Sequence, residues 1–320
     1  MIAPSLSQDD LASVALLSEV LTASPDVQLR TLCRVLKRVI VENFNYCNRK
    51  CSFCTNSVID RESRFLEMPD ATFSRIFEQL STGGYEGTVF VGRFSEPLAH
   101  EMVYERLQRI RAYLPKTRIS LNTNGDFLAM RDLHRLAECG LNEMKIMCYL
   151  PKGVEFTSAN AITHCKRFLD RHQMEATIDP SSSESEVIYK IRTESDLAIS
   201  LHAENYSVVG LGSDRGGVIP ELSGARRILP CFAPFFELNV DYSGDVAPCC
   251  NMNSDVPQHR LCVLGNVNTQ SLIEVFFGAF AVMFRRACAS PQPDHQPCRH
   301  CHYYWPNRVL PGHRVSLSET

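Results

Sequence analysis

Residues 47–54 read Cys47-Asn48-Arg49-Lys50-Cys51-Ser52-Phe53-Cys54, three cysteines separated by three residues and then by two. Thiolates this close together reach one small inorganic centre. A cubane of four irons and four sulfides presents four iron corners, so three thiolates leave one iron without a side-chain ligand. An open metal corner is where a co-substrate can bind and react. A zinc site or a buried cluster of reduced cysteines is the alternative. Zinc sites usually come as two pairs, and no second pair stands nearby.

Outward from this loop the composition is ordinary. The 320 residues, 44% hydrophobic and 22% charged, suffice for one large domain and a smaller one. A net charge of -3 gives no sign of the basic face that nucleic acid would require. No apolar run is long enough for a bilayer, and the apolar stretch at residues 11–21 is interrupted by Ser13, Ser18 and Glu19 with no basic region before it. A cytoplasmic location is therefore expected. In a reducing compartment fourteen cysteines point to metal ligation rather than disulfides. Cys33, Cys139, Cys148 and Cys165 lie in apolar segments and read as buried structural thiols.

Residues 7–36 read as helical, with Ser7 and Asp10 as a capping pair and Pro25 splitting the segment in two. An apolar strand at 39–44 runs straight into the cysteine loop. Beyond it strands are expected at 87–92, 118–122, 142–149, 175–179 and 206–209, alternating with helices at 70–80, 101–114, 132–139, 159–172 and 194–204. Such alternation builds βαβ units and a parallel sheet. The expected fold class is α/β, a partial (β/α)6 barrel with a small C-terminal domain of β-hairpin and helix. The boundaries are 1–38 for an N-terminal helical segment, 39–220 for the barrel and 221–320 for the C-terminal domain. Chemistry in parallel barrels sits at the C-terminal strand ends, which is where the cysteine loop falls.

The C-terminal third holds Cys231, a hairpin ending in Cys249-Cys250, and Cys298-Arg299-His300-Cys301. Cysteines around a hairpin followed by CxxC make a four-thiolate site, with a zinc ribbon as the rival reading. Adjacent strand residues face opposite ways, so Cys249 and Cys250 do not both serve one cluster easily.

The first motif resembles the CxxxCxxC signature of the radical S-adenosylmethionine (SAM) enzymes, with the aromatic Phe53 before the third cysteine. The resemblance implies a [4Fe-4S] cluster held by Cys47, Cys51 and Cys54, with SAM on the open iron. Gly92-Arg93-Phe94-Ser95-Glu96-Pro97 partly matches the family's GGE region, which makes Ser95 and Glu96 candidates for the SAM ammonium. Asn122-Thr123-Asn124-Gly125 resembles its TNG element, with Asn122 and Asn124 near the ribose. Gly212-Ser213-Asp214-Arg215-Gly216-Gly217 resembles an NRGG element, with Arg215 toward the SAM carboxylate. Residues 207–211 are a weaker candidate for the adenine wall.

The C-terminal cysteines resemble the Twitch and SPASM auxiliary-cluster domains, implying one auxiliary [4Fe-4S] cluster. As a whole the chain is similar to the radical SAM enzymes of aminoglycoside biosynthesis, and among these to the epimerases of the neomycin C to neomycin B type. That resemblance implies hydrogen abstraction by a 5′-deoxyadenosyl radical from an aminosugar carbon and hydrogen return from a thiol. It makes Cys249 the catalytic donor and Cys231, Cys250, Cys298 and Cys301 the auxiliary ligands. The usual Gly-x4-Cys register of such domains, counted from Gly244, instead makes Cys249 the ligand and Cys250 the spare. A polycationic substrate calls for acidic partners, for which Glu143, Asp179, Glu237 and Asp241 are the candidates. An external flavodoxin- or ferredoxin-type electron donor is expected, with neither nucleic acid nor membrane as partner. The competing functions are a radical SAM dehydrogenase of an aminocyclitol or sugar alcohol, a peptide-modifying maturase, and a non-enzymatic metal-binding module.

Overall fold

The structure is a computed structural model, and it describes residues 6–208, 213–223, 226–227, 229–290 and 296–301. Two helices open the chain, α1 (Gln8–Glu19) and α2 (Pro25–Val35). The Ser7 hydroxyl accepts from the Asp10 amide at 3.1 Å and Pro25 begins α2, so the cap and the break both act where the sequence places them.

The barrel then alternates through β1 (Arg38–Val41), α3 (Asp70–Thr82), β2 (Thr88–Val91), α4 (Met102–Tyr113), β3 (Arg118–Thr123), α5 (Met130–Glu138), β4 (Glu143–Met147) and α6 (Ser158–Arg171). A hairpin follows, β5 (Ala176–Ile178) and β6 (Glu186–Ile191), and then β7 (Ala198–Glu204). The remaining elements are α7 (Ala233–Phe236), β8 (Glu237–Val240), β9 (Asp245–Ala247), α8 (Pro257–Arg260), β10 (Gly265–Asn266), α9 (Leu272–Phe277) and α10 (Ala279–Ala289).

All ten strands form one sheet in the order β10-β9-β8-β1-β2-β3-β4-β7-β6-β5. The run from β8 to β7 is parallel, and the flanking strands are antiparallel. The parallel sheet bends into the expected partial barrel, but two of its strands differ from the sequence reading. The segment 194–204, read as a helix, is a strand. Ile199, Leu201 and Ala203 are buried and alternate with Ser200, His202 and Glu204, a period of two that outweighs the local helix formers. The strand expected at 206–209 is a turn over residues 206–208, and residue 209 lies outside the described residues. The sixth parallel strand is β8, from beyond residue 220, which pairs with β1 through Arg38↔Glu237 and Val41↔Val240. The sheet therefore runs on through the boundary drawn at 220/221.

One face of the sheet carries Val39, Val41, Val89, Val91, Ile119, Leu121, Met144 and Ile146 against Phe73, Phe77, Leu107 and Leu136 of the helices, all buried. Burial of each such side chain contributes about 1.5–3 kcal/mol. Cys33, Cys139, Cys148 and Cys165 are buried in this layer. The alternate positions, among them Asn122, Lys145, His202 and Glu204, face the concave side. No described helix is long and apolar enough to cross a membrane.

Candidate active site

Beyond β1 the chain turns outward at Asn45, whose side chain holds the base of the cysteine loop. Its amide oxygen accepts from Leu66 N at 2.9 Å and its amide nitrogen donates to Arg64 O at 2.9 Å. Beneath lies Arg61, almost fully buried, paired with the equally buried Glu42 at 2.9 Å and donating to Asn45 O at 2.6 Å. Glu42 also accepts from Phe94 N at the end of β2, so one carboxylate ties β1, β2 and the loop together.

Above this base Cys47, Cys51 and Cys54 stand half-buried. Burial pushes the Cys47 thiol up to about 11 and the Cys51 thiol to about 12, with the neighbouring thiols adding to the effect. Three thiols on one short loop fit an iron–sulfur cluster with one iron left open, and these three would hold it.

The TNG loop clamps the cysteine loop from the side. Arg49 donates to both oxygens of Asp126 at 2.6 and 2.5 Å, Asn48 donates to Asp126 at 2.8 Å, and Asn124 donates to Asn48 at 2.8 Å. The guanidinium holds the Asp126 carboxyl below the usual carboxylate range. Replacing Asp126 by Asn removes the charge of this fork and leaves the three thiols in place. Cluster loading at limiting iron should fall about tenfold, read as iron per chain after anaerobic reconstitution.

Among the SAM candidates, Asn122 is exposed on the concave face. Asn124 is buried and holds the loop through its Asp126 N and Asn48 contacts. Ser95 is half-buried. Glu96 is buried and accepts from Thr123 Oγ1 at 2.6 Å, Asn124 N at 2.7 Å and Leu98 N at 3.1 Å. Its carboxylate thus clasps the β2 and β3 loops, a role the ammonium reading did not include. Arg215, with φ of 48°, donates to Phe53 O at 3.1 Å and to Asn251 Oδ1 at 2.7 Å. The adenine wall expected at 207–211 lies from residue 209 on outside the described residues, as does Gly212.

Two aromatic residues went unread in the sequence. Tyr206 stacks on Phe53 with ring centroids 3.7 Å apart, and Tyr149 lies 5.4 Å from Phe53. Both follow a parallel strand, the position that carries chemistry in this architecture.

The four substrate candidates are engaged elsewhere. Glu143 and Glu237 open their strands, at the opposite end of the barrel from the cysteines, and pair with Arg118 and Arg38. Asp179 pairs with Lys190 at 2.8 Å. Asp241 is buried in the β8–β9 turn, accepting from Ser243 N at 2.8 Å, Asp245 N at 3.0 Å and the Ser254 hydroxyl. Each of these acids is paired or hydrogen-bonded within the chain. Glu186 and Glu204, with His202 between them, form an acidic group at the C-terminal end of β7. Their ligand atoms lie within 4.8 Å of one another, and Lys145 pairs with Glu204 at 2.5 Å.

The C-terminal cysteines converge. Cys231, Cys249, Cys288, Cys298 and Cys301 line one cavity, together with Asn251. Cys250, which the resemblance made a ligand, is not among its lining residues, whereas Cys288 on α10 is. The 249–253 turn is fastened to the first cysteine loop: Arg93 donates to Cys249 O at 3.3 Å, Asn253 donates to Thr55 Oγ1 at 2.9 Å, and Asn251 reaches Phe53 through Arg215.

Comparison with known proteins accords with this arrangement. Residues 41–148 match the radical SAM superfamily, and residues 231–302 match SPASM, an iron–sulfur cluster-binding domain. S-adenosyl-L-methionine-dependent 2-deoxy-scyllo-inosamine dehydrogenase of Niallia circulans is 25% identical over 79% of this chain and 87% of its own. The crystal structure of BtrN in complex with AdoMet and 2-DOIA superposes with a TM-score of 0.61 at 22% identity, covering 83% of this chain and 92% of that one. An open conformation of BtrN gives 0.54 at 20% identity over the same shares. The chain carries a radical SAM domain, an enzyme unit that consumes SAM at a [4Fe-4S] cluster, followed by a SPASM domain for auxiliary iron–sulfur binding.

Proposed function

We propose that the chain removes a hydrogen atom from a ring carbon of an aminocyclitol or aminosugar and oxidises that carbon to a carbonyl. When bound, SAM and its cluster supply the 5′-deoxyadenosyl radical, and an auxiliary cluster supplies an electron acceptor. The observation carrying this reading is the 249–253 turn, which bears one cysteine of the auxiliary cavity and is hydrogen-bonded to the first cysteine loop at Thr55 and, through Arg215, at Phe53. Similarity to an aminocyclitol dehydrogenase over most of both chains supports the same outcome. Glu186 and Glu204, on the concave side at the C-terminal end of β7, suit an amino-bearing substrate. Phe53, Tyr149 and Tyr206 form an aromatic wall beside the first cysteine loop.

Epimerisation is the second reading, and the thiol count favours it. Five cysteines line the auxiliary cavity, and a four-iron cluster has corners for four. In that reading Cys231, Cys288, Cys298 and Cys301 are the ligands. Cys249, on the turn tied to the SAM-site loop, returns a hydrogen atom to the opposite face of the carbon.

Turnover in deuterium oxide separates the two. Dehydrogenation gives a product lighter by two hydrogens and without solvent label. Epimerisation gives an isobaric sugar that gains one deuterium from the exchangeable thiol. Under epimerisation Cys249→Ala keeps 5′-deoxyadenosine release and loses product; under dehydrogenation the same variant still forms the carbonyl unless Cys249 is a cluster ligand, in which case iron content drops.

A further inference from the structure

Among its described lining residues the auxiliary cavity holds one cationic side chain. Arg227 lines it beside the cysteines, is 5% exposed, and its Nε and Nη2 have no hydrogen-bond acceptor among the described residues. A buried guanidinium with idle donors is costly, because each unsatisfied N–H forfeits its bond to water. Its backbone is fixed in place: Arg227 N donates to Arg299 O at 2.7 Å, inside the Cys298–Cys301 loop. Besides its thiols and apolar groups the described lining holds one amide, Asn251, whose Oδ1 already accepts from Ser213 and Arg215, and no carboxylate. Sulfurs make up the rest of the polar side chains in that lining.

We propose that Arg227 donates N–H hydrogen bonds to the sulfurs of the auxiliary cluster and so raises its reduction potential. Hydrogen bonds to cluster sulfurs and net local charge are two of the factors that set such potentials. A donor with a fixed positive charge favours the reduced, more negative cluster. Burial works against the charged guanidinium, yet the thiols of Cys231, Cys298, Cys288 and Cys301 hold it above its ordinary range, as expected of a cation placed among anionic sulfurs. The inference rests on the auxiliary cluster and not on which product the enzyme makes. In the dehydrogenation reading a raised potential readies the cluster for the substrate's electron; the potential itself is measured without reference to the product.

The test uses the full chain with Cys47, Cys51 and Cys54 all changed to Ala, so that only the auxiliary cluster reports. Into it go Arg227→Gln, which removes the charge, and Arg227→Lys, which keeps charge but not the forked donors. Iron and sulfide are counted, and the reduced fraction is followed by electron paramagnetic resonance against solution potential. At the midpoint of the parent, the ratio of reduced to oxidised cluster should fall about tenfold in Arg227→Gln at unchanged iron content, with Arg227→Lys between. Loaded variants that titrate with the parent overturn the proposal. If Arg227→Gln loses its iron, Arg227→Lys decides: a lower potential supports the role and the parental value overturns it. A parent that binds no iron overturns the auxiliary cluster itself, and the role of Arg227 with it.

Discussion

Alanine in place of any one of Cys47, Cys51 or Cys54 will end SAM cleavage, with 5′-deoxyadenosine release under dithionite falling at least about a hundredfold. The three thiols stand half-buried on one loop, and no other described cysteine sits on it. Two thiolates leave two irons without side-chain ligands, so the cluster loses both its anchor and the distinction between its open corner and the rest. Iron content should drop by the share of this cluster while the auxiliary share stays. Undiminished cleavage in any of the three variants would remove that cysteine from the ligand set, and undiminished cleavage in all three would end the radical SAM reading of the site.

Arg61→Ala will be the most destabilising single change outside the ligands, at about 3–5 kcal/mol. The guanidinium and Glu42 are both almost wholly out of water, and removing one strands the other. The loss extends to Asn45 O, which Arg61 holds at the base of the cysteine loop. For a chain of this size the melting temperature should fall by roughly 4–8 °C. The double change Arg61→Met with Glu42→Gln, which leaves no buried charge, should recover part of that loss. Thermal and urea unfolding of the apo chain check both. A single variant within about 0.5 kcal/mol of the parent would mean that water reaches Glu42 and that the pair is not the anchor of the loop.

The cysteine loop was legible because its ligands are local: their spacing alone brings three thiols together. The parallel strands were legible for the same reason, since each apolar run and its following helix are neighbours in sequence. Residues 194–204 were not. Glu194, Leu197 and Glu204 favour a helix locally, and only pairing with β4 and β6 fixes the alternation of Ile199, Leu201 and Ala203. The acidic residues were misread for a long-range reason. Arg38 and Glu237 are 199 positions apart, and nothing near either one announces the partner. Cys288 stands ten residues before Cys298, and spacing does not join it to the auxiliary thiols; the folded α10 brings it to Cys231, whose amide donates to Cys288 O at 2.8 Å.

Because β8 is hydrogen-bonded to β1 on one side and to β9 on the other, the strand that feeds the first cysteine loop and the strand that feeds the tandem pair are staves of a single plate with one stave between them. The two inorganic centres cannot drift apart without tearing backbone pairing between them. Electron hopping from one to the other, whatever the substrate, would then occur over a span fixed by the sheet rather than by the swing of a hinge, and its rate should be insensitive to solvent viscosity.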